Sequence, residues 1–197
     1  ATLDEAVNLR ENGIDKQILI LGYVNPDEYE ELVKHEIDAT VFDIETAKEL
    51  DEVAQRLGKK ALCNIKVDTG MRRIGLEPDE SGKEIVRQIK KLKNINARGI
   101  FTHFAQADEY DKTPTQKQIA LFQKMITMLE ERNVKIPIHH CSNSAGIVEI
   151  SEANMDMVRA GITLYGLWPS EEVDQNSLDL KPVMELKTHV AYVKDLE

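Results

Sequence analysis

Apolar positions along this chain follow two alternating patterns: short continuous runs, and the three-to-four spacing of an amphipathic helix. Residues 3–12 have the helical spacing, stopped by Gly13, with no cap of their own before them. Residues 18–21 form a continuous apolar run ended by Gly22, the mark of a buried strand. Asn25, Pro26 and Asp27 open the next helix, with proline in its first turn and carboxylates close behind. Residues 39–42 read as a strand. Residues 45–57 read as a helix with Ala47, Leu50, Val53, Ala54 and Leu57 on one face and Gly58 closing it. The series continues with a strand at 61–67, a basic-faced helix at 80–92, a strand at 99–104, a long helix at 115–132 and a strand at 136–141. A helical turn follows Ser144, and residues 155–162 are the last strand of the series.

Several of these strands are apolar throughout, as in a parallel sheet covered on both faces. Two architectures fit such repeats, an open doubly wound sheet and a closed eight-stranded barrel. No glycine-rich phosphate loop follows the first strand, which disfavours the dinucleotide-binding version. The pattern predicts an α/β fold, a (β/α)8 barrel with about six of its eight strands in this chain. The expected division is a partial barrel over 1–170, then a linker and the first strand of a β domain over 171–197. The β-like residues of that second part are 183–193.

Composition narrows the function. With 25 Lys and Arg against 35 Asp and Glu, the net charge is −10, which argues against nucleic acid or an anionic membrane as the main partner. No apolar run approaches the roughly 20 residues of a membrane span. Cys63 and Cys141 are far apart in apolar segments, so no disulfide framework is expected, and a cytoplasmic location is.

In a barrel, functional groups gather at the C-terminal ends of the strands. Here those ends carry Lys66, Asp68, Arg72 and Arg73, then Thr102, His103 and Asp108, then His140, Asn143 and Ser144, then Arg159. Each has an ordinary reading. Lys66 could snorkel at an edge, Arg73 could be solvated, either histidine could be structural, and Asn143-Ser144 could simply cap a helix. Arg159 is harder to explain away, because an arginine inside an apolar strand must be paired or bound to something. His139 and His140 are adjacent and point to opposite faces of a strand, so no metal site is expected. No G-x-S-x-G elbow is present. What remains is a cationic barrel mouth suited to a phosphorylated ligand.

The motifs KVDTGMRRIG at 66–75, THFAQADE at 102–109, HCSNSA at 140–145, MVRAGI at 157–162 and YGLWPS at 165–170 resemble the bacterial alanine racemases. The segments LDEA at 3–6 and ILILG at 18–22 fit the same family. The resemblance implies a pyridoxal 5'-phosphate enzyme of fold type III that interconverts L- and D-alanine for peptidoglycan precursors and works as a homodimer. Arg159, backed by His140, would face the cofactor's pyridine nitrogen, and Arg73 would bond its phenolic oxygen. Lys66 would carry a carbamate that orients Arg73, and His103 would lie near the ring. Ser144 with the backbone of Gly161 and Ile162 would hold the phosphate, and Asn143 and Leu21 would line the site. Arg72 stands where the family often has glycine. The family's cofactor-bearing lysine and its catalytic tyrosine match nothing here, so the chain is expected to be an inactive fragment. The serine racemases of vancomycin resistance share this domain, which leaves serine as an alternative substrate. A single-domain, non-catalytic pyridoxal phosphate carrier is the reading from another class, and the tail at 183–193 speaks against it.

Overall fold

The structure is a computed structural model and describes residues 2–195. Its sheet has four parallel strands in sequential order: β1 (Ala39–Val41), β2 (Ala61–Lys66), β3 (Ile95–Phe101) and β4 (Ile138–His140). Helices α1 (Leu3–Glu11) and α2 (Tyr29–Lys34) precede β1. Helices α3 (Ile44–Leu57), α4 (Glu80–Ile89) and α5 (Thr113–Glu130) make the crossovers, and α6 (Ser144–Glu149) follows β4. This is the arc of an incomplete α/β barrel. No helix among the described residues is long and apolar enough to cross a membrane.

Local chemistry sets the helix ends. The Asp43 carboxylate accepts from Thr46 N–H at 2.6 Å to start α3, and Gly58 ends it at φ +63°, where a side chain would be strained. Asp79 caps α4 in the same way, on Ser81 and Gly82. Helix α1 does have a cap: Thr2 and Glu5 form a reciprocal capping box, against the expectation that none precedes it. Leu50 and Ala54 of α3, Val86 and Ile89 of α4, and Phe122 and Met125 of α5 bury completely against the sheet. Each large apolar side chain contributes about 1.5–3 kcal/mol of burial there.

Two of the six strands expected in the barrel, and the strand expected after it, are absent as ladders. Residues 18–21 make a single parallel bridge, Leu19 to Asp38, flanked by bonds from Ile20 N–H to Asp38 and from Asp38 N–H to Ile18. Residues 155–162 lie beside the end of β4, with Asp156 N–H donating to His139 and Arg159 N–H to Ser142. Met155, at the start of this segment, is at φ +40°, and the two bonds, three residues apart, do not continue as a ladder. Residues 183–193 have no regular structure, because a strand exists only through a partner and none lies beside them among the described residues.

All six residues of β2 are buried, on two different faces. Cys63 and Ile65 join the hydrophobic core under the helices. Asn64 and Lys66 point the other way, into the barrel interior. Opposite them β3 carries a bulge: Cys63 pairs with Ala97 and Asn64 with Gly99, leaving Arg98 as the extra residue. The bulge lets Arg98 reach inward to Asp38 while Gly99 stays beside Asn64.

Candidate functional site

The groups at the strand ends converge on Arg159. Its backbone is pinned to the turn after β4, and its guanidinium is held from three sides. Nη1 lies 2.8 Å from His140 Nδ1, and Nη2 donates to the carbonyls of Thr102 at 2.7 Å and Cys141 at 3.0 Å. Nη2 also lies 3.4 Å from His103 Nδ1. The remaining donor, Nε–H, is buried without a partner. An unpaired buried N–H costs about 1–3 kcal/mol, so this atom marks a place where a ligand acceptor would complete the site.

His140 is itself fixed on both sides. Its ring stacks on Phe101 at 4.7 Å with an interplanar angle of 7°, and its Nε2 lies 3.1 Å from Asn64 Oδ1. The Phe101 ring also takes Lys66 Nζ at 4.6 Å and the Arg159 guanidinium at 5.2 Å from its centroid. Lys66 is only 2% exposed, with no carboxylate in ion-pair range among the described residues. Burial, with Arg159 and Arg73 behind it, lowers its pKa to about 8 despite the opposing pull of Asp68. Burial first, then Arg159 and Lys66, pushes His103 down to about 4 and His140 to about 3, so both rings are neutral at physiological pH. Arg159, lowered by burial to about 10, keeps its charge.

His103 is set in place from α5: Gln118 donates to the His103 carbonyl at 3.1 Å and to Thr69 Oγ1 at 3.2 Å, and accepts from Ala105 N–H at 2.9 Å. The loop after β2 closes on itself through Asp68, whose Oδ1 accepts from the N–H groups of Gly70 and Arg72. Arg72 sits at φ +54°, a conformation glycine adopts freely. Arg73, which the resemblance places on the cofactor's phenolic oxygen, is exposed, and it reaches the site only as a nearby charge on Lys66 and His103.

A cavity of about 340 Å³ opens beside Arg159. Leu21, His103, Asn143, Ser144, Arg159, Gly161 and Ile162 line it, seven of the ten positions to which the family resemblance gives a role; Asp108, Ala145, Ala160 and Pro169 complete the wall. Lys66 and His140 stand behind Arg159 rather than in the wall. Asn143 starts α6 by accepting from Gly146 N–H at 3.0 Å. Ser144 Oγ accepts from Gly161 N–H at 2.9 Å and from the Thr163 hydroxyl at 3.2 Å. Asp38 and Phe101 were not legible as site residues, since one precedes a strand and the other looks like core. Asp38 did leave a signal, as a lone carboxylate at the start of an apolar run. No cluster of His, Cys, Asp and Glu that could hold a metal exists among the described residues. The arrangement offers a cationic donor and a hydroxyl to an anionic, ring-containing ligand, with a lysine of lowered pKa behind them.

A family model described as alanine racemase, N-terminal domain, matches residues 1–169. The chain is 45% identical over 192 residues to an alanine racemase of Methanococcus maripaludis, covering 98% of this chain and 52% of that protein. It is 45% identical to one of Clostridium tetani, covering 100% of this chain and 51% of that one. Among solved structures, the alanine racemase of Clostridium difficile 630 in complex with cycloserine superposes with a TM-score of 0.91 at 43% identity, over 92% of this chain and 50% of that one. The chain spans about half the length of the curated relatives it matches.

Proposed function

We propose, for a chain that belongs to the alanine racemase family through that family's N-terminal domain, that it forms the cofactor cradle of a pyridoxal phosphate-dependent racemase acting on alanine. The observation that carries this reading is Arg159: a charged arginine, immobilised by His140 and two carbonyls, with one buried N–H still to be bonded at the edge of a 340 Å³ cavity. When bound, pyridoxal phosphate supplies an aldehyde that joins the substrate amine and a ring that takes up electron density from the α-carbon.

The residues present fit that group. Arg159 would donate to the pyridine nitrogen and, being charged, would leave that nitrogen without a proton. Ser144, with the N–H groups of Gly161 and Ile162, would hold the phosphate. Leu21 and Asn143 bound the ring's place, and neutral His103 lies beside Arg159 without adding charge. Lys66, unusually easy to deprotonate, is suited to carry a carbamate, which turns a cation into an anion that draws exposed Arg73 toward the phenolic oxygen. No residue of this chain is assigned either proton-transfer role. The family reading extends to a homodimer whose D-alanine serves cell-wall precursors, with 171–197 as linker and first strand of a β domain.

The test uses the full-length protein. Titration with pyridoxal phosphate is expected to saturate with a visible absorbance change, and L-alanine should then lose optical activity faster than L-serine. Arg159→Gln should bind the cofactor at least about tenfold more weakly, the loss of a hydrogen bond to a charged group. Absence of cofactor binding by the unaltered protein overturns the reading, and faster turnover of serine reassigns the substrate.

A further inference from the structure

Behind Arg159 the hydrogen bonds continue well past His140. Arg159 Nη1 donates to His140 Nδ1, so Nδ1 bears no proton and the proton of the neutral ring is on Nε2. That Nε2–H donates to Asn64 Oδ1 at 3.1 Å, and Asn64 Nδ2 donates to Asp38 Oδ2 at 3.0 Å. Asp38 also accepts from Gln17 Nε2 at 2.7 Å and from Arg98 Nη1 at 3.1 Å. His140, Asn64 and Asp38 are wholly buried. Every bond in the chain points away from Arg159 and toward one carboxylate.

We propose that Asp38 and Asn64 are positioning residues for Arg159: the Asp38 carboxylate sets the direction of each hydrogen bond, so that His140 always presents its Nδ1 lone pair to the guanidinium. The proposal rests on Arg159 being the cofactor's pyridine partner. A carboxylate only accepts, so Asn64 must turn its Nδ2 toward Asp38. That leaves Oδ1 for His140, which in turn fixes the imidazole proton on Nε2. An amide at position 38 would impose no such order. Asn64 could then turn over and face His140 with a donor, drawing the ring proton to Nδ1. There it would meet the Arg159 N–H, donor against donor, and the guanidinium would lose one of its anchors.

The backbone makes room for this chain. A Cβ on Gly99 would lie 2.1 Å from Asn64 Oδ1, so glycine there is what lets the amide reach His140. Burial pushes the Asp38 pKa up, and the bulge at Arg98 brings a half-exposed cation to the far end, where its charge opposes that rise together with the hydrogen bonds from Gln17 and Asn64. The charged groups acting on His140 itself are Arg159 and Lys66, with His139 on the neighbouring position; both cations favour the neutral ring.

The alternative is a plain buried ion pair between Asp38 and Arg98 that only supports the fold. The two are separated by nitrogen NMR of the full-length protein labelled with 15N-histidine, with and without pyridoxal phosphate, His140 being assigned by the loss of its signals in His140→Asn. In the unaltered protein His140 is expected as the neutral Nε2–H form from about pH 6 to about pH 9. Asp38→Asn should mix the two tautomers and weaken pyridoxal phosphate binding by about tenfold or more. Arg98→Gln, which still donates to Asp38, should change neither at pH 8 or above. An Nδ1–H or charged ring in the unaltered protein overturns the proposal even if no variant folds. So does an Asp38→Asn protein with the unaltered tautomer and affinity, or an Arg98→Gln protein that reproduces the Asp38→Asn changes. If the expected tautomers are seen but the unaltered protein binds no pyridoxal phosphate, the positioning chain stands and the cofactor reading falls.

Discussion

At the scale of single residues, Lys66 shows how burial without an ion pair changes what a side chain can do. Two nearby arginines and an aromatic face surround it, and its pKa falls from 10.5 to about 8. The folded protein therefore releases this proton at a lower pH than the unfolded chain does. Between about pH 8 and about 10.5 the unfolded state binds more protons, so the Lys66 contribution to stability grows as pH rises through that window. Compared with Lys66→Met in denaturant melts, the unaltered protein should gain stability from pH 8 to 10. Parallel curves would place Lys66 in an ordinary aqueous setting. A neutral amine is also what attacks carbon dioxide, losing a proton as the carbamate forms, and in the full-length enzyme small carboxylates should partly restore the activity of Lys66→Ala. Full activity in Lys66→Arg would remove the carbamate role.

At the scale of elements, the alternation of strand and helix was legible because buried parallel strands and amphipathic helices leave different spacings. Helix α3 was read to within a residue, since Leu50 and Ala54 mark its face and Gly58 its end. The strand expected at 155–162 makes only two backbone bonds to the end of β4, from Asp156 and Arg159, a pairing that periodicity does not carry. The bulge between β2 and β3 was equally invisible, because one extra residue changes facing but not composition. Of the candidate site, Arg159 stood out as a charge among apolar neighbours, and Ser144 stood out at a helix start. Arg73 lies exposed, and a glycine-rich loop gives no sign in the sequence of how far its arginines turn inward. Asp38 and Asn64 were missed as partners because they meet only across the sheet. Gly99 tests how far the element depends on that meeting. Gly99→Ala would press a methyl group onto Asn64 and the Ile138 carbonyl, and overpacking of this kind costs about 1–3 kcal/mol. The variant should melt earlier and bind pyridoxal phosphate more weakly; unchanged values for both would show that β2 and β3 have slack at this point.

At the scale of the whole molecule, the described residues divide into a packed arc and an apolar tail that lies open to solvent. Leu186, Val190, Tyr192 and Val193 are all at least 78% exposed, in a molecule whose net charge of −10 otherwise favours solubility. Contiguous apolar exposure of this kind marks a surface meant to be covered. The tail does touch the arc, through Val183 N–H donating to Tyr165 at 3.1 Å, but it makes no ladder there. Fixing a residue's backbone costs about 1–2 kcal/mol, and a lone strand gains no hydrogen bonds to offset it. Residues 183–193 should therefore order only where a partner strand is supplied, as the proposed β domain would do. Hydrogen exchange gives the comparison. In a polypeptide of residues 1–197 the amides of 183–193 should exchange at nearly the rate of an unstructured peptide, while those of β2 are protected. In the full-length protein the same tail amides should slow by about a hundredfold or more, the mark of a cooperative opening worth roughly 3 kcal/mol. Equal, fast exchange in both proteins would mean that no β domain begins at this segment, and that 171–197 serves as a linker throughout.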